Sequence, residues 1–283
     1  MRRVPCSAWW IVAPLLGFAG IASAGVRPAV VELFTSEGCS SCPPAEAYLA
    51  ELAQRADVLA LTFHVNYWDD LGWPDRFGLP AATQRQRAYS QALRLSSVFT
   101  PQAVIDGRRS FVGSDRNAIG RELSVPRDGP SISLIVHDAE LSVELDAWHA
   151  AHSNVWLVAY RHSAVTSIGR GENAGRTINE VNIVRSIRAL DRSDGQDGKY
   201  RVKVDSLPQE ATDIAVLLQG QGQASIIGAA TLRLRADDRV ARSGGVPQQG
   251  ALQNYFFNSA TPPKFTLLTS GNLTSASEMI RTP

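Results

Sequence analysis

Cys39 and Cys42, separated by Ser40 and Ser41, are the residues whose type and spacing point most directly to chemistry. Two thiols three positions apart can close a disulfide on each other and reopen it, which is the elementary act of thiol–disulfide exchange. The thiolate is the attacking species, and Cys39, where a helix is expected to begin, gains from the helix dipole and free backbone N–H groups. Cys39 is therefore read as the attacking thiol and Cys42, one turn into the helix, as the resolving thiol. Pro43 and Pro44 start a helix well but supply no N–H donors, which thins the donor set around the sulfur. A structural zinc needs about four ligands, and neither a second cysteine pair nor a zinc-finger histidine pair is present. A purely structural bridge is the plainer alternative, although closing so small a loop removes little unfolded-state entropy.

The elements that must hold this pair are legible on either side of it. Val30 to Phe34 is apolar at positions that fall on both faces, which suits a central parallel strand. Ala45, Tyr48, Leu49 and Leu52 recur at helical spacing, with Glu46 and Glu51 expected outward. Val58 to Phe63 is a second buried strand, and a right-handed crossover brings its end, and so His64, to the sheet edge that carries the thiols. Tyr67 to Pro80 is a Gly- and Pro-rich loop carrying Trp68, Asp69, Asp70 and Trp73. Ala82 to Leu95 is a helix whose Arg85, Arg87 and Arg94 are expected on a solvated face. Phe99 to Gly107 is a strand running into an Asp106-Gly107 hairpin, Phe111 and Val112 lie on the returning strand, and Arg116 to Leu123 closes the unit.

Three further positions could assist the thiols. Thr100-Pro101, just before a strand expected beside the redox turn, is similar to the cis-proline loop of thioredoxin-fold proteins, where it would aim backbone at an incoming extended peptide and keep metals away. Glu32 interrupts a strand built for burial, and a buried carboxylate must be neutral or paired. It is either a proton acceptor for Cys42 or a rim residue reaching water or an arginine. His64 either stabilises the Cys39 thiolate or caps its strand through a backbone hydrogen bond. His137, His149, His152 and His162 show no ligand pattern and are read as structural or surface residues.

Residues 1–24 have a basic start at Arg2 and Arg3, an apolar stretch from Trp9 to Ile21 and the small-residue motif Ala22-Ser23-Ala24, the pattern of a secretory signal peptide that takes Cys6 with it. The mature protein is therefore expected in the periplasm or outside the cell, where disulfides persist. With 28 basic and 27 acidic residues the charge is nearly balanced, which argues against nucleic-acid binding and against membrane-surface attachment after cleavage. Beyond Pro130 the pattern changes to alternation, with Leu141, Val143 and Leu145, then Val155, Leu157 and Ala159 against Trp156, Val158 and Tyr160. Tyr200 to Val204, Ile214 to Leu218 and Ile226 to Leu234 are further strands. From Asp237 onward periodicity is lost, and a disordered tail is expected. Gly171 to Thr177 falls short of a phosphate loop, so no nucleotide is expected.

The chain resembles a secreted bacterial thioredoxin-like family classed as a domain of unknown function (domain of unknown function 1223). The resemblance rests on Glu-Leu-Phe-Thr-Ser-Glu-Gly-Cys-Ser-Ser-Cys-Pro-Pro-Ala at 32–45, His-Val-Asn-Tyr-Trp-Asp at 64–69, Leu-Gly-Trp at 71–73, Arg-Gln-Arg-Ala-Tyr at 85–89, Phe-Thr-Pro-Gln at 99–102 and Gly-Glu-Asn-Ala-Gly-Arg-Thr at 171–177. It implies an α/β chain with a thioredoxin-like domain at 25–126 and an antiparallel β-rich, sandwich-like domain at 127–236; the tail at 237–283 is longer than the family pattern requires. It also implies a C-x-x-C at Cys39 and Cys42 with the proline loop at Thr100 and Pro101. The expected activity is thiol–disulfide exchange with protein thiols or disulfides through a mixed disulfide, with no cofactor and no resident metal. Two alternatives stand beside it: Cu(I) binding or delivery by the two thiolates with His64, and a binding module that keeps the fold without the redox chemistry.

Overall fold

In the computed structural model the described residues are 25–240 except 146–148, 150, 151 and 191–197. The expected leader at 1–24 and positions 241–283 of the expected tail lie outside them. A short strand β1 (Gly25–Val26) leads into β2 (Ala29–Thr35), helix α1 (Pro43–Leu52), β3 (Val58–His64), helix α2 (Pro80–Ala92), β4 (Gln102–Ile105), β5 (Arg109–Val112) and helix α3 (Arg116–Leu123). β2 and β3 are buried along their whole lengths and pair in parallel from Ala29 opposite Val58 to Thr35 opposite His64, as continuous apolar runs do when both sheet faces are covered. β4 adds to β2 antiparallel and β5 to β4. At the β4–β5 turn Asp106 and Gly107 take φ of 48° and 64°, the left-handed region that Gly tolerates freely and Asp more readily than most residues.

Alternation along β2 decides which side chain meets which helix. Ala29, Val31 and Leu33 pack with Ala45, Tyr48, Leu49 and Leu52 of α1 and with Ile119 and Leu123 of α3. Val30 and Phe34 face the other way, toward Ala82 and Tyr89 of α2. Glu32 belongs to that second face. It is fully buried, and Arg85 of α2 donates to its two oxygens at 2.6 and 3.2 Å while the Tyr89 hydroxyl donates to Oε2. Arg85, expected on a solvated face, is instead 6% exposed and neutralises this carboxylate; Arg87 and Arg94 are exposed as expected.

The second half supplies β6 (Asp128–Gly129), β7 (Ser133–His137), β8 (Glu140–Glu144), β9 (Ser153–Ser167), β10 (Thr177–Ala189), β11 (Lys199–Lys203), β12 (Asp213–Gly220) and β13 (Ile226–Arg233). The main sheet has eight strands in the order β13-β12-β9-β10-β3-β2-β4-β5, with β1 pairing β6 and a three-stranded β11-β8-β7 sheet beside it. Leu141, Val143, Tyr200 and Val202 of the small sheet share an apolar cluster with Val155, Leu157, Ala159, Ile214 and Val216. The expected facing of β9 holds, with Val158 and Tyr160 in the cluster on its other side. The fold is thus mixed α/β and dominated by sheet, with three α-helices among the described residues.

Strand β10, whose polar residues hid it in the sequence, joins the two halves. It runs parallel to β3 at Ile183 opposite Thr62, and the seam is held by the Thr62 hydroxyl donating to Val181 O at 2.6 Å and Asn182 Nδ2 donating to Ala60 O at 2.9 Å. The boundary expected at 126 therefore falls between strands of one sheet. Ala236–Arg239 form a 3-10 turn in which Arg239 donates to the carbonyls of Val204, Pro208 and Ala211, so the first residues of the expected tail are folded against the segment that follows β11.

The Glu32–Arg85 pair yields a stability prediction. Arg85→Ala leaves a carboxylate buried without its cation, and breaking such a pair costs about 3–5 kcal/mol. Urea unfolding of the two proteins should show this difference; a change below about 1 kcal/mol would contradict the pairing.

Candidate functional site

The cysteine turn occupies Ser36 to Cys42 between β2 and α1, and Cys39 and Cys42 are joined by a disulfide. Helix α1 begins at Pro43 with Cys42 as its N-cap, so the cysteines lie one turn earlier relative to the helix than the sequence reading had them. The chain turns through Cys39 N–H donating to Ser36 O at 3.0 Å and Cys42 N–H donating to Cys39 O at 3.2 Å. Ser40 and Ser41 are exposed, whereas both cysteines have 0% exposure. The Cys39 sulfur lies 3.4 Å from the Ser41 hydroxyl.

On the α1 side of the sheet, at the same edge, ionisable groups have been taken out of water. His64 ends β3, and its Nδ1 is 2.8 Å from Asp75 Oδ2 while its Nε2 is 3.7 Å from Glu180 Oε1. Burial pulls this imidazole down, but Asp75, by charge and hydrogen bond, with Glu180 and Glu46 beyond, outweighs it and pushes the pKa up to about 9. Burial alone would raise Asp75; His64 and the donors Glu37 N–H and Phe77 N–H hold it below its ordinary value. Burial pushes Glu180 up to about 7 although the Thr166 hydroxyl donates to it at 2.6 Å. Burial likewise raises Glu46, which accepts from the Thr35 hydroxyl at 2.6 Å through Oε1 and leaves Oε2 without a hydrogen bond. Glu37 accepts from Trp73 Nε1 at 2.6 Å and lies 3.5 Å from Arg76 Nε.

Two loops cover the turn. The β3–α2 loop places Trp68 and Trp73 against Gly38, and Trp68 Nε1 donates to Thr100 Oγ1 at 2.9 Å, linking the cysteine turn to the Thr100-Pro101 peptide, which is cis. Pro101 is buried beside Gly113, where a Cβ would come within 2.6 Å of Leu33, 3.0 Å of Ala45 and 3.1 Å of Pro101. The second loop, between β9 and β10, sends Asn173 Nδ2 to Glu37 O and Cys39 O, both at 2.9 Å, while Ser40 N–H donates to Glu172 Oε2 at 3.3 Å. The Gly-Glu-Asn-Ala-Gly-Arg-Thr segment thus lies on the cysteines.

Of the sequence-derived candidates, Cys39 and Cys42 are bonded to each other, and Thr100 reaches the cysteine turn through Trp68. His64 sits at the expected edge but is engaged by Asp75 and Glu180 rather than by a sulfur. Glu32 is on the opposite face with Arg85, away from α1. Glu46, expected outward, is 4% exposed and points inward; its spacing of four from Cys42 and three before Leu49 is the helical signal that could have found it. Glu37, Asp75, Glu180 and Asn173 had no such local signal. His137 and His162 pair with Asp138 and Arg233. Among the described residues there is no group of three or more His, Cys, Asp or Glu side chains arranged to hold a metal, and no helix long and apolar enough to cross a membrane.

Residues 30–219 match the family described as protein of unknown function (DUF1223). No curated protein matches. The crystal structure of protein AGR_C_4864 from Agrobacterium tumefaciens is similar with a TM-score of 0.61 at 25% identity, over 80% of this chain and 100% of that one. HBP35 of Porphyromonas gingivalis is similar in fold with a TM-score of 0.54 at 17% identity, over 80% of this chain and 81% of that one.

The buried cluster predicts how stability varies with pH. A His64 pKa raised to about 9 stabilises the fold fully below its unfolded value near 6.5, and that contribution is lost as pH rises through 9. Glu180, raised from 4.5 to about 7, has the same sign at lower pH: the folded protein holds its proton more tightly than the unfolded chain, and that contribution is lost as pH rises from 4.5 through 7. The unfolding free energy of the oxidised protein should therefore fall between pH 6.5 and 9, by an amount on the order of 3 kcal/mol. Urea midpoints that stay level or rise across this window would contradict it.

Proposed function

The chain belongs to the DUF1223 family, and we propose that it is a thiol–disulfide oxidoreductase of the periplasm or extracellular space whose partners are protein thiols or disulfides. The observation that carries this reading is the Cys39–Cys42 disulfide, set between a buried parallel strand and a helix and spanned by the exposed residues Ser40 and Ser41. The element order β2-α1-β3-α2-β4-β5-α3 and the strand order β3-β2-β4-β5 support a thioredoxin-like arrangement of the first half, with Pro101 at the head of β4.

In the oxidising direction, a partner thiolate attacks the Cys39 sulfur, the Cys39–Cys42 bond breaks, and the electron pair goes to Cys42, which takes a proton. A second partner thiolate then attacks the partner's own sulfur in the mixed disulfide, leaving the partner oxidised and Cys39 as a thiolate. The reverse sequence reduces a partner, with Cys42 as the resolving thiol. The chemistry needs no cofactor. The burial of both sulfurs favours a second reading, a binding module in which the disulfide is inert.

Mutation and alkylation separate the two. Cys39→Ser should abolish disulfide exchange with a test protein, and Cys42→Ser should accumulate mixed disulfides through Cys39, seen as a mass increase reversed by reductant. Exchange that survives in Cys39→Ser would refute the assignment. Cysteines that resist alkylation in the folded, reduced protein, together with no disulfide exchange by the parent, would support the binding module.

A further inference from the structure

Exchange requires a sulfur that a partner can reach, and in this structure neither cysteine is reachable. The turn that carries them is packed by Trp68 and Trp73 and is also bonded from the other half of the chain. The tip of the β9–β10 hairpin is a self-contained turn, closed by Ile168 N–H donating to Arg176 O at 2.9 Å and Gly175 N–H donating to Ile168 O at 2.8 Å. Every residue from Gly169 to Arg176 is exposed except Asn173, which is 0% exposed. That one side chain is inserted into the redox turn, where its amide donates to the carbonyls of Glu37 and Cys39, and its Oδ1 has no hydrogen-bond partner. Burying an amide oxygen unpaired is unfavourable, so Asn173 is poorly explained as packing alone. Around it the tip rests lightly: Glu172 accepts from Ser40 N–H at 3.3 Å, and Gly169 and Gly171 lie against the Trp73 ring and Cβ.

We propose that the 168–176 loop determines which partners reach Cys39, with Asn173 as its latch: exchange proceeds from a form in which the tip has lifted, and a productive partner is one that can displace it. The inference rests on the exchange reading above. Because the tip bonds mainly to itself, it can lift as a unit on the hairpin without breaking the β9–β10 ladder, the kind of local opening that costs less than global unfolding. A net hydrogen bond shifts such an equilibrium roughly fivefold, so losing both Asn173 donors should raise the open fraction by tenfold or more.

The test is the rate at which dithiothreitol reduces the Cys39–Cys42 disulfide in the full chain. The reductant thiolate attacks Cys39, the electron pair passes to Cys42, and the second reductant thiol closes its own disulfide to release Cys39. Asn173→Ala should be reduced at least tenfold faster than the parent. The acceleration should persist with little dependence on sub-denaturing urea, since global unfolding exposes far more surface and would give a steep dependence. Gly171→Ala is the second variant. Its Cβ would stand 3.1 Å from Trp73 Cβ at a φ of +76°, so it should lift the tip from the tryptophan and accelerate reduction without touching Asn173. Parent-like rates in both variants, or an acceleration that vanishes when urea dependence shows global unfolding, would overturn the latch. Disulfide transfer to a reduced test protein is read in parallel. Faster reduction by dithiothreitol with no transfer in any form would uphold the latch as a cover and reject the exchange reading.

Discussion

Four carboxylates, Glu37, Glu46, Asp75 and Glu180, and one imidazole, His64, are buried at the sheet edge where Cys39 and Cys42 are bridged, and the local architecture follows from what such burial demands. A charge removed from water must gain a proton, a counter-ion or donors. Here each solution recruits a different element. Asp75 takes His64 from β3 and two backbone N–H groups, one of them from the cysteine turn itself; Glu46 takes the Thr35 hydroxyl from the end of β2; Glu180 takes Thr166 across the β9–β10 ladder; Glu37 takes Trp73 from the covering loop. The turn that carries the disulfide is consequently held, through Glu37, by a network that spans both halves of the chain. Removing one member would leave others buried and unpaired.

This network also explains which parts of the fold were legible. β2, α1 and β3 announce themselves because their apolar residues fall at periods of two or 3.6 with little interruption, and the Asp106-Gly107 turn because few other residues accept its backbone conformation. Strand β10 did not, since Asn179, Glu180, Asn182, Arg185, Ser186 and Arg188 break the apolar pattern. Two of those residues are the ones that matter: Glu180 faces His64, and Asn182 bonds to Ala60 of β3. Arg85 and Glu32 were likewise hidden, because each is out of place on its own and sensible only with the other, 53 positions away. Helical periodicity could have placed Glu46 inward beside Cys42 and Leu49, but a glutamate on a short helix is ordinarily a solvent residue. Local pattern fails where polar side chains are buried for one another across long sequence separations.

The joining of the two halves bears on chemistry as much as on stability. The antiparallel strands β9 and β10 extend the sheet from β3, and the hairpin between them carries Asn173 back to the carbonyl of Cys39. A β-rich region that would otherwise look like an independent attachment therefore supplies both a wall of the buried cluster, through Glu180, and the cover of the disulfide. Trp68 and Trp73 complete that cover from the β3–α2 loop. Within the turn both cysteines are buried and Ser40 and Ser41 are exposed, which is why the proposed exchange is tied to access to the sulfurs.

The central claim is that Cys39 and Cys42 form a working redox couple, and its most direct test is the midpoint potential of that couple. Equilibrating the protein in dithiothreitol or glutathione buffers and counting alkylated thiols by mass after unfolding gives this value whatever the cover does to the rate. The account predicts a potential between about −120 and −270 mV, the span of known exchange catalysts. A value below about −300 mV, characteristic of structural disulfides, would contradict it and leave the pair as a staple within a binding module.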